Sequence, residues 1–359
     1  MKFTVRAQSE TWPIRGVFRI SRGSKTAADV VVVKIEASDS NGVYFGMGEC
    51  APYSRYNETV TSVVSDVLVV GRKLTSLAQR YHSLRSPVDK TMEHKLRADL
   101  TQIMPPSAAR NAIDCALWDL EAKRTDRAIQ QSENTQRNTV RMHTREIPLG
   151  AVDTSVTISL DDPKKMADCA KQYTSPGNSY SILKLKLGDG LVDIDRVNAV
   201  KQAAPDARLI VDLNEGWTPK LYDCIIPKFI DLEVALIEQP FPANDDIALN
   251  TIARPIPVCA DESFGGDVTA ASLTDRYDII NIKLDKAGGL TAALQQYKAA
   301  RAAGLRVMIG CMVSTSLGIA PAINIAQHAD WADLDGPLLL QTDRVPGLQY
   351  TNGLISPPP

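Results

Sequence analysis

The chain has 359 residues, enough for two domains, and its 44% hydrophobic and 23% charged content can bury a sizeable core. A net charge of −2 offers no basic field, which argues against nucleic acid and anionic membrane as partners. The six scattered cysteines include no C-x-x-C pair, which argues against a disulfide framework or zinc site and fits a reducing cytosol. Most of them are expected to be small buried apolar residues.

The N-terminal "MKFTVRAQSETW" is polar and lacks the apolar core of a secretory signal, and "DVVVVKIE" is far too short to cross a bilayer. A cytoplasmic protein is expected. "ADVVVVKIEAS" and "GVYFGMGEC" read as strands joined across Asn41-Gly42, a hairpin signal. "NETVTSVVSDVLVVGRKL" and "PPSAARNAIDCALWDLEAKR" have helical spacing, the second with Ala109, Ile113, Ala116, Leu117 and Leu120 on one side. The first third is therefore α+β, and the polar run "QQSENTQRN" at 130–138 reads as a loop and domain boundary.

From about residue 147 short apolar strands alternate with amphipathic helices. The strands are "SVTISL", "SILKLKL", "ARLIVDLN", "EVALIEQ", "IPVCADE", "DIINIKL", "LRVMIG" and "WADLDG", separated by helices such as "DPKKMADCAKQY" and "VDIDRVNAVKQAA". This alternation builds a parallel sheet, and eight such strands close into a barrel. The tail "DRVPGLQYTNGLISPPP" contains no eighth helix and is expected to return to the N-terminal part.

Active sites of such barrels lie at the carboxyl ends of the strands. Strands three, four and five end in Asp212 ("VDLNEGW"), Glu238 ("LIEQP") and Asp261 ("CADES"), 26 and 23 residues apart, about one βα unit each. Three adjacent anions repel unless a cation holds them, and an all-oxygen set suits Mg²⁺ or Mn²⁺ better than zinc. Taken singly, each acid could instead cap a helix or pair with a lysine. On strand two, Lys184 and Lys186 alternate with Leu183, Leu185 and Leu187. Seen alone this is a half-exposed edge strand; in a closed barrel the leucines meet the helices and the lysines face inward. Strand six brings Lys283, 22 residues after Asp261. Strands two and six oppose each other in a ring of eight, so Lys186 and Lys283 are expected to flank whatever the metal holds.

A substrate carboxylate bound to that metal could lose its α-proton to one lysine and regain one from the other, inverting the carbon. The metal would stabilise the enediolate charge, and Lys184 would help polarise the carboxylate. A lysine base working near neutral pH needs a lowered pKa, which neighbouring cations, here Lys184 and the metal, would supply; a lysine base working beside magnesium is a known enzyme arrangement. On strand eight, Asp333 and Asp335 point the same way and could hold a substrate ammonium, or form a turn pair before Gly336-Pro337. Lys286 reads as a loop cap or a partner of Lys283. The histidines at 82, 94, 143 and 328 do not fall on strand ends.

The ordered motifs "LKLKLG", "VDLNEGW", "LIEQPF", "CADES" and "NIKLDKAGG", with "ARNAIDCALWDL" before them, make the chain resemble the muconate-lactonizing subgroup of the enolase superfamily over nearly its whole length. "ADLDGP", "GECAPYSRYNET" and "SRGSK" resemble the dipeptide epimerases, the L-Ala-D/L-Glu type in particular. The resemblance implies an α+β N-terminal capping domain, residues 1–125 completed by about 340–359. It also implies a (β/α)7β modified TIM barrel, residues 126–339. The implied metal ligands are Asp212, Glu238 and Asp261, with Lys186 and Lys283 as the acid/base pair. Asp333 and Asp335 would hold the dipeptide ammonium. Arg22 would meet the glutamate side chain, unless it is a solvent-facing loop arginine. The implied activity is Mg²⁺-dependent epimerisation of L-Ala-D/L-Glu-type dipeptides in murein peptide recycling. An epimerase of other specificity, a muconate cycloisomerase or an o-succinylbenzoate synthase shares the same catalytic core. The sequence leaves a homo-oligomer open. The dipeptide preferred depends on the loop around Arg22 and on Cys311–Thr315.

Overall fold

The computed structural model describes residues 2–40, 42–83, 91–133 and 150–357. Asn41, the part of the polar run from 134 to 138, and His143 lie outside the described residues. The two long strands β1 (Lys2–Ile20) and β2 (Gly23–Asp39) pair antiparallel, and β3 (Gly42–Cys50) joins the other edge of β2 with Asp39 opposite Gly42. Three helices cover this sheet: α1 (Val60–Ser83), α2 (Met92–Ile103) and α3 (Ala108–Glu133). Val31, Val33 and Ile35 meet Val67, Leu74, Ile113 and Leu117 in one core. The helix α3 can lie this close because β3 carries glycines. A Cβ at Gly46 would stand 2.0 Å from the Ala116 carbonyl oxygen, and one at Gly48 2.1 Å from that of Ala112.

The second sheet is parallel and contains eight strands in sequence order. They are β5 (Val156–Ile158), β6 (Ile182–Lys186), β7 (Arg208–Asp212), β8 (Val234–Glu238), β9 (Val258–Ala260), β10 (Ile279–Lys283), β11 (Arg306–Gly310) and β12 (Trp331–Asp333), with β4 (Val152–Asp153) just before them. The Ser155 amide donates to the Ala332 carbonyl and closes the ring. This is the modified TIM barrel. Helices α4 (Pro163–Thr174), α5 (Val192–Ala203), α6 (Pro219–Asp231) and α8 (Leu290–Ala302) pack outside it, with the short α7 (Leu284–Ala287) directly after β10. Proline at the first helical position and a capping side chain start two of them: Asp162 accepts from the Lys165 amide and Thr218 from the Leu221 amide. After β8 and β9 only 3₁₀ turns follow, at Ile247–Asn250 and Ala270–Leu273.

Strand alternation sorts the barrel residues by face. Leu183, Leu185, Val211, Ile237, Ile280 and Val307 point outward into the helix layer. Inside, Ile182, Ile210, Leu236, Cys259, Ile279 and Met308 form an apolar floor at the amino end. The tail divides. Leu340 bridges to Ile14 in β1, and Arg344 reaches Glu10 and Glu49 in the N-terminal sheet. Farther on, β13 (Gln349–Thr351) and β14 (Leu354–Ser356) pair with each other, and β14 pairs with β4 beside the barrel. Among the described residues all cysteines are free; Cys50, Cys115 and Cys259 are buried, whereas Cys169 and Cys224 are exposed.

The two motifs "ARNAIDCALWDL" and "NIKLDKAGG" meet in space. Arg110 of α3 donates to the carbonyls of Ala287 and Gly288, Asn111 to Asp285, and Asp114 accepts from the amide and hydroxyl of Thr291. Gly288 and Gly289 have positive φ, and a Cβ on either would fall within 2.5 Å of Arg110 or Asp114.

Candidate active site

Above the apolar floor the barrel interior turns to charge. Lys184 is wholly buried and its Nζ lies 2.7 Å from Asp333, 2.7 Å from Glu238 and 3.2 Å from Asp212. It therefore spans the ring from strand four to strand eight. Lys186 Nζ donates to Asp212 at 2.6 Å and Lys283 Nζ to Asp261 at 2.7 Å. The acids and the three lysines are thus gathered in one interior layer, with Lys186 and Lys283 each on a different carboxylate. Burial of this much charge is tolerated only because each group finds opposite charge.

The electrostatics follow from that pairing. Burial opposes charge on Lys184, yet Asp333, Glu238 and Asp212 outweigh it and hold the ammonium well above the usual lysine range. Burial likewise pushes Asp212 up, but Lys186 and Lys184 bring it down to about 2. Asp261 is held well below the carboxylate range against burial by Lys283 and Lys286. Glu238 goes the other way: burial and then Asp212 raise it to about 7, with Lys184 opposing. The expected lowering of the base lysine is not met for Lys283 in this arrangement. Burial and Lys184 act downward on it, but the Asp261 carboxylate overrides them and holds it well above its ordinary value.

Asp333 accepts from the Ser155 hydroxyl at 2.7 Å as well as from Lys184, and Asp335 accepts from the Thr157 amide at 2.6 Å. Both are buried. Lys184 and Ser155 keep Asp333 low against burial, while burial and Asp333 raise Asp335 to about 6. Lys286 is also buried; it donates to the Asp261 carboxylate and to the carbonyls of Asp261, Phe264 and Asn281. It thus pairs with an acid of the site and fastens the loop after β9 at once.

Arg22 forms the turn between β1 and β2 and reaches down to the barrel mouth. Its guanidinium donates to Glu215, to Glu262, to the Asn214 carbonyl and to the Tyr53 hydroxyl. Above Lys186, the Phe18 ring of β1 lies 5.9 Å from its Nζ. Three further residues support the site. Asn281 donates to Glu238 at 2.7 Å; it sits two positions before Lys283, so alternation alone could have placed it. Gln239 accepts from the amides of Asp261 and Ser263 and so sets the Asp261 backbone. Glu262 gave no signal, because only the fold brings Arg22 to it. Of the described histidines, His82 and His94 lie on α1 and α2, and His328 follows the last helical turn before β12.

Asp212, Glu238 and Asp261 offer only carboxylate oxygens, a donor set for a hard divalent cation. Among the described residues no three acidic, His or Cys side chains converge closely enough to hold an ion as they stand, and lysine ammonium groups stand against all three carboxylates. The residues nonetheless suit one. Glu238 Oε2 lies near Lys184 without hydrogen-bond geometry, and it, Asn214 Oδ1 and Glu262 Oε2 are buried acceptors lacking a donor. Such orphaned buried oxygens beside the three acids fit a bound cation.

Paired lysines and strand-end acids at the mouth of a barrel of this topology define an enzyme-like site on a modified TIM barrel with an α+β N-terminal domain. Residues 2–131 match the model described as mandelate racemase / muconate lactonizing enzyme, N-terminal domain, and residues 165–359 match enolase C-terminal domain-like. The chain belongs to this family of the enolase superfamily. It is 38% identical over 350 residues to L-Ala-D/L-Glu epimerase of Escherichia coli, covering 98% of each chain. It is 35% identical over 316 residues to an N-acetyl-D-glutamate racemase of Pseudoalteromonas, covering 88% of this chain and 90% of the relative. Among solved structures, an enolase-family protein of Agrobacterium tumefaciens with homology to dipeptide epimerases, bound to sodium and L-Ala-L-Glu, superposes with a TM-score of 0.83. It is 40% identical, with 99% of this chain and 98% of that one covered. A dipeptide epimerase of Enterococcus faecalis complexed with Mg and L-Leu-L-Tyr gives 0.81 at 27% identity, covering 100% and 98%. The chain is an enzyme, an isomerase of the epimerase and racemase class.

Proposed function

We propose that the protein is a Mg²⁺-dependent dipeptide epimerase that inverts the α-carbon of the C-terminal residue of L-Ala-D/L-Glu-type dipeptides by 1,1-proton transfer. The observation that carries this reading is the placement of Lys186 and Lys283 on strands four apart, each on a different acid of one buried trio. Asp212, Glu238 and Asp261 would hold the ion, which when bound supplies the positive charge against which carboxylate charge builds as the α-proton leaves; Mn²⁺ has the same oxygen preference. One lysine, neutral, takes the α-proton on one face, and the other, as ammonium, returns a proton to the opposite face. Lys184 adds a fixed positive charge beneath the substrate carboxylate. Asp333 and Asp335 hold the dipeptide ammonium and orient the chain, and Arg22 meets an acidic side chain. On this reading residues 1–125 cap a barrel of residues 126–339, and the enzyme recycles murein peptides in the cytoplasm.

The test is deuterium wash-in. L-Ala-L-Glu and L-Ala-D-Glu incubated with enzyme and Mg²⁺ in D₂O should each gain one α-deuterium by mass spectrometry; retention of the α-hydrogen in both refutes the proposal. Asp333→Asn and Asp335→Asn should lower dipeptide turnover by roughly 10²-fold through the lost charge-assisted bonds. An unchanged rate would favour a cycloisomerase or dehydratase, whose substrates lack the ammonium. N-acetyl-L-glutamate serves as a further substrate arm, since its neutral amide gains little from two acids.

A further inference from the structure

The carboxylate of Glu215 collects donors from three separate segments at the barrel mouth. Arg55 grips it with both terminal nitrogens, at 2.6 and 2.5 Å. Arg22 Nη1 donates to it at 2.7 Å, and the Ala243 amide, from the loop after β8, donates at 2.8 Å. The side chain is only 8% exposed, while the two arginines remain about 30% exposed on the side of an open pocket of roughly 670 Å³. Residue 215 and its neighbour Asn214 both hold positive φ, a conformation that costs a non-glycine residue about 1–3 kcal/mol and marks a functional constraint. Fork-to-fork arginine–carboxylate pairing fixes orientation as well as distance, and here one carboxylate fixes two arginines that belong to different turns of the N-terminal domain.

We propose that Glu215 is a latch that fastens the Arg22 turn and the Ser54–Tyr56 turn onto the barrel, so that Glu215 and Arg55 act as positioning residues for Arg22 and set the preference for an acidic substrate side chain. The link to specificity rests on the epimerase reading; the latch itself rests on geometry alone. With Arg55 bound in a fork, Arg22 keeps its guanidinium over the pocket through Glu215, Glu262, the Asn214 carbonyl and the Tyr53 hydroxyl, Glu215 being the partner it shares with Arg55. Without the latch the turn swings, and Arg22 must be ordered anew by each ligand.

Two readouts test this. Trypsin cleaves after an arginine only when its side chain is free, so cleavage at Arg22–Gly23 and Arg55–Tyr56, located by mass spectrometry, reports the latch without any activity. Glu215→Gln should speed cleavage at both bonds, and Arg55→Ala at Arg22–Gly23, by about tenfold; rates equal to wild type overturn the proposal. In deuterium exchange both variants should raise KM for L-Ala-L-Glu about tenfold, with the effect on KM and not on kcat, and shift KM for L-Ala-L-Gln far less. The double variant should be no worse than either single one. A fall in KM for L-Ala-L-Glu would mean that Glu215 competes with the ligand, and this also overturns the latch. If Glu215→Gln fails to fold, as judged by near-UV circular dichroism, Arg55→Ala carries both arms. If wild-type enzyme exchanges neither dipeptide, the epimerase reading fails while the proteolysis arm still decides the latch.

Discussion

The two ends of the barrel interior are built from the same strands and share one backbone rule, yet they do opposite things. At the amino end Ile182, Ile210, Leu236 and Ile279 make a hydrocarbon floor. Two residues farther along the same strands, Lys184, Asp212, Glu238 and Asn281 make a buried polar layer. The floor contributes stability, since each fully buried aliphatic side chain adds roughly 1.5–3 kcal/mol. The layer above contributes little net stability, because desolvation of each charge offsets its pairing. A fold keeps such a layer when the charges have a task, and the apolar floor is what makes the layer affordable.

This contrast can be broken most sharply at the upper layer. Lys283→Ala should reduce deuterium wash-in by at least about 10³-fold, the scale of a lost general acid–base group; a residual rate within tenfold of wild type would remove Lys283 from the chemistry. At the floor, Leu236→Ala should cost about 2–5 kcal/mol in urea unfolding, while the wash-in rate per folded molecule holds. If the rate falls with the stability, the two ends are not separable. Metal addition probes the layer from the side of binding. Mg²⁺ at a hundred times its Kd should stabilise chelator-stripped protein by about 2.7 kcal/mol, read as a rise in Tm, and Asp212→Asn should remove the gain.

A further effect, read in the pH profile, lies outside both layers, at Asp285 under α3. Burial raises its carboxyl to about 7 from an ordinary 3.8, against hydrogen bonds from the Ala51 amide and Asn111. The folded state therefore holds a proton that the unfolded chain releases between pH 4 and 7. Stability from this group is present below pH 4 and declines as pH rises to about 7, by up to about 1.4 kcal/mol per unit. Asp285→Asn should flatten that part of the profile in denaturant titrations at pH 5, 6 and 7. An unaltered slope would mean that Asp285 is ionised throughout.

The eight strands and the charged layer were readable because period-two alternation and the βα repeat act locally, and lysine inside an apolar run is conspicuous. All eight predicted barrel strands are present in order. What escaped the sequence depends on contacts between distant segments. Nothing near Glu262 or Glu215 indicates that a turn some two hundred residues earlier delivers Arg22 to them. The helix expected after every strand is missing after β8 and β9, where the chain satisfies its turns with 3₁₀ hydrogen bonds instead. Lys283 stands above its ordinary value because the Asp261 carboxylate outweighs the downward pull of Lys184, a balance set by side chains from different strands.

Arg110 plugs the carbonyls at the end of α7, the four-residue helix that begins immediately after Lys283. The N-terminal domain thereby holds the frame on which Lys283 is mounted, while its two turns shape the mouth above. Exchange of such domains between related enzymes to graft a new substrate preference is therefore not a modular operation. A chimera must carry α3 and the Lys283–Gly289 segment from the same parent, or retune their contact, before its borrowed turns can confer anything.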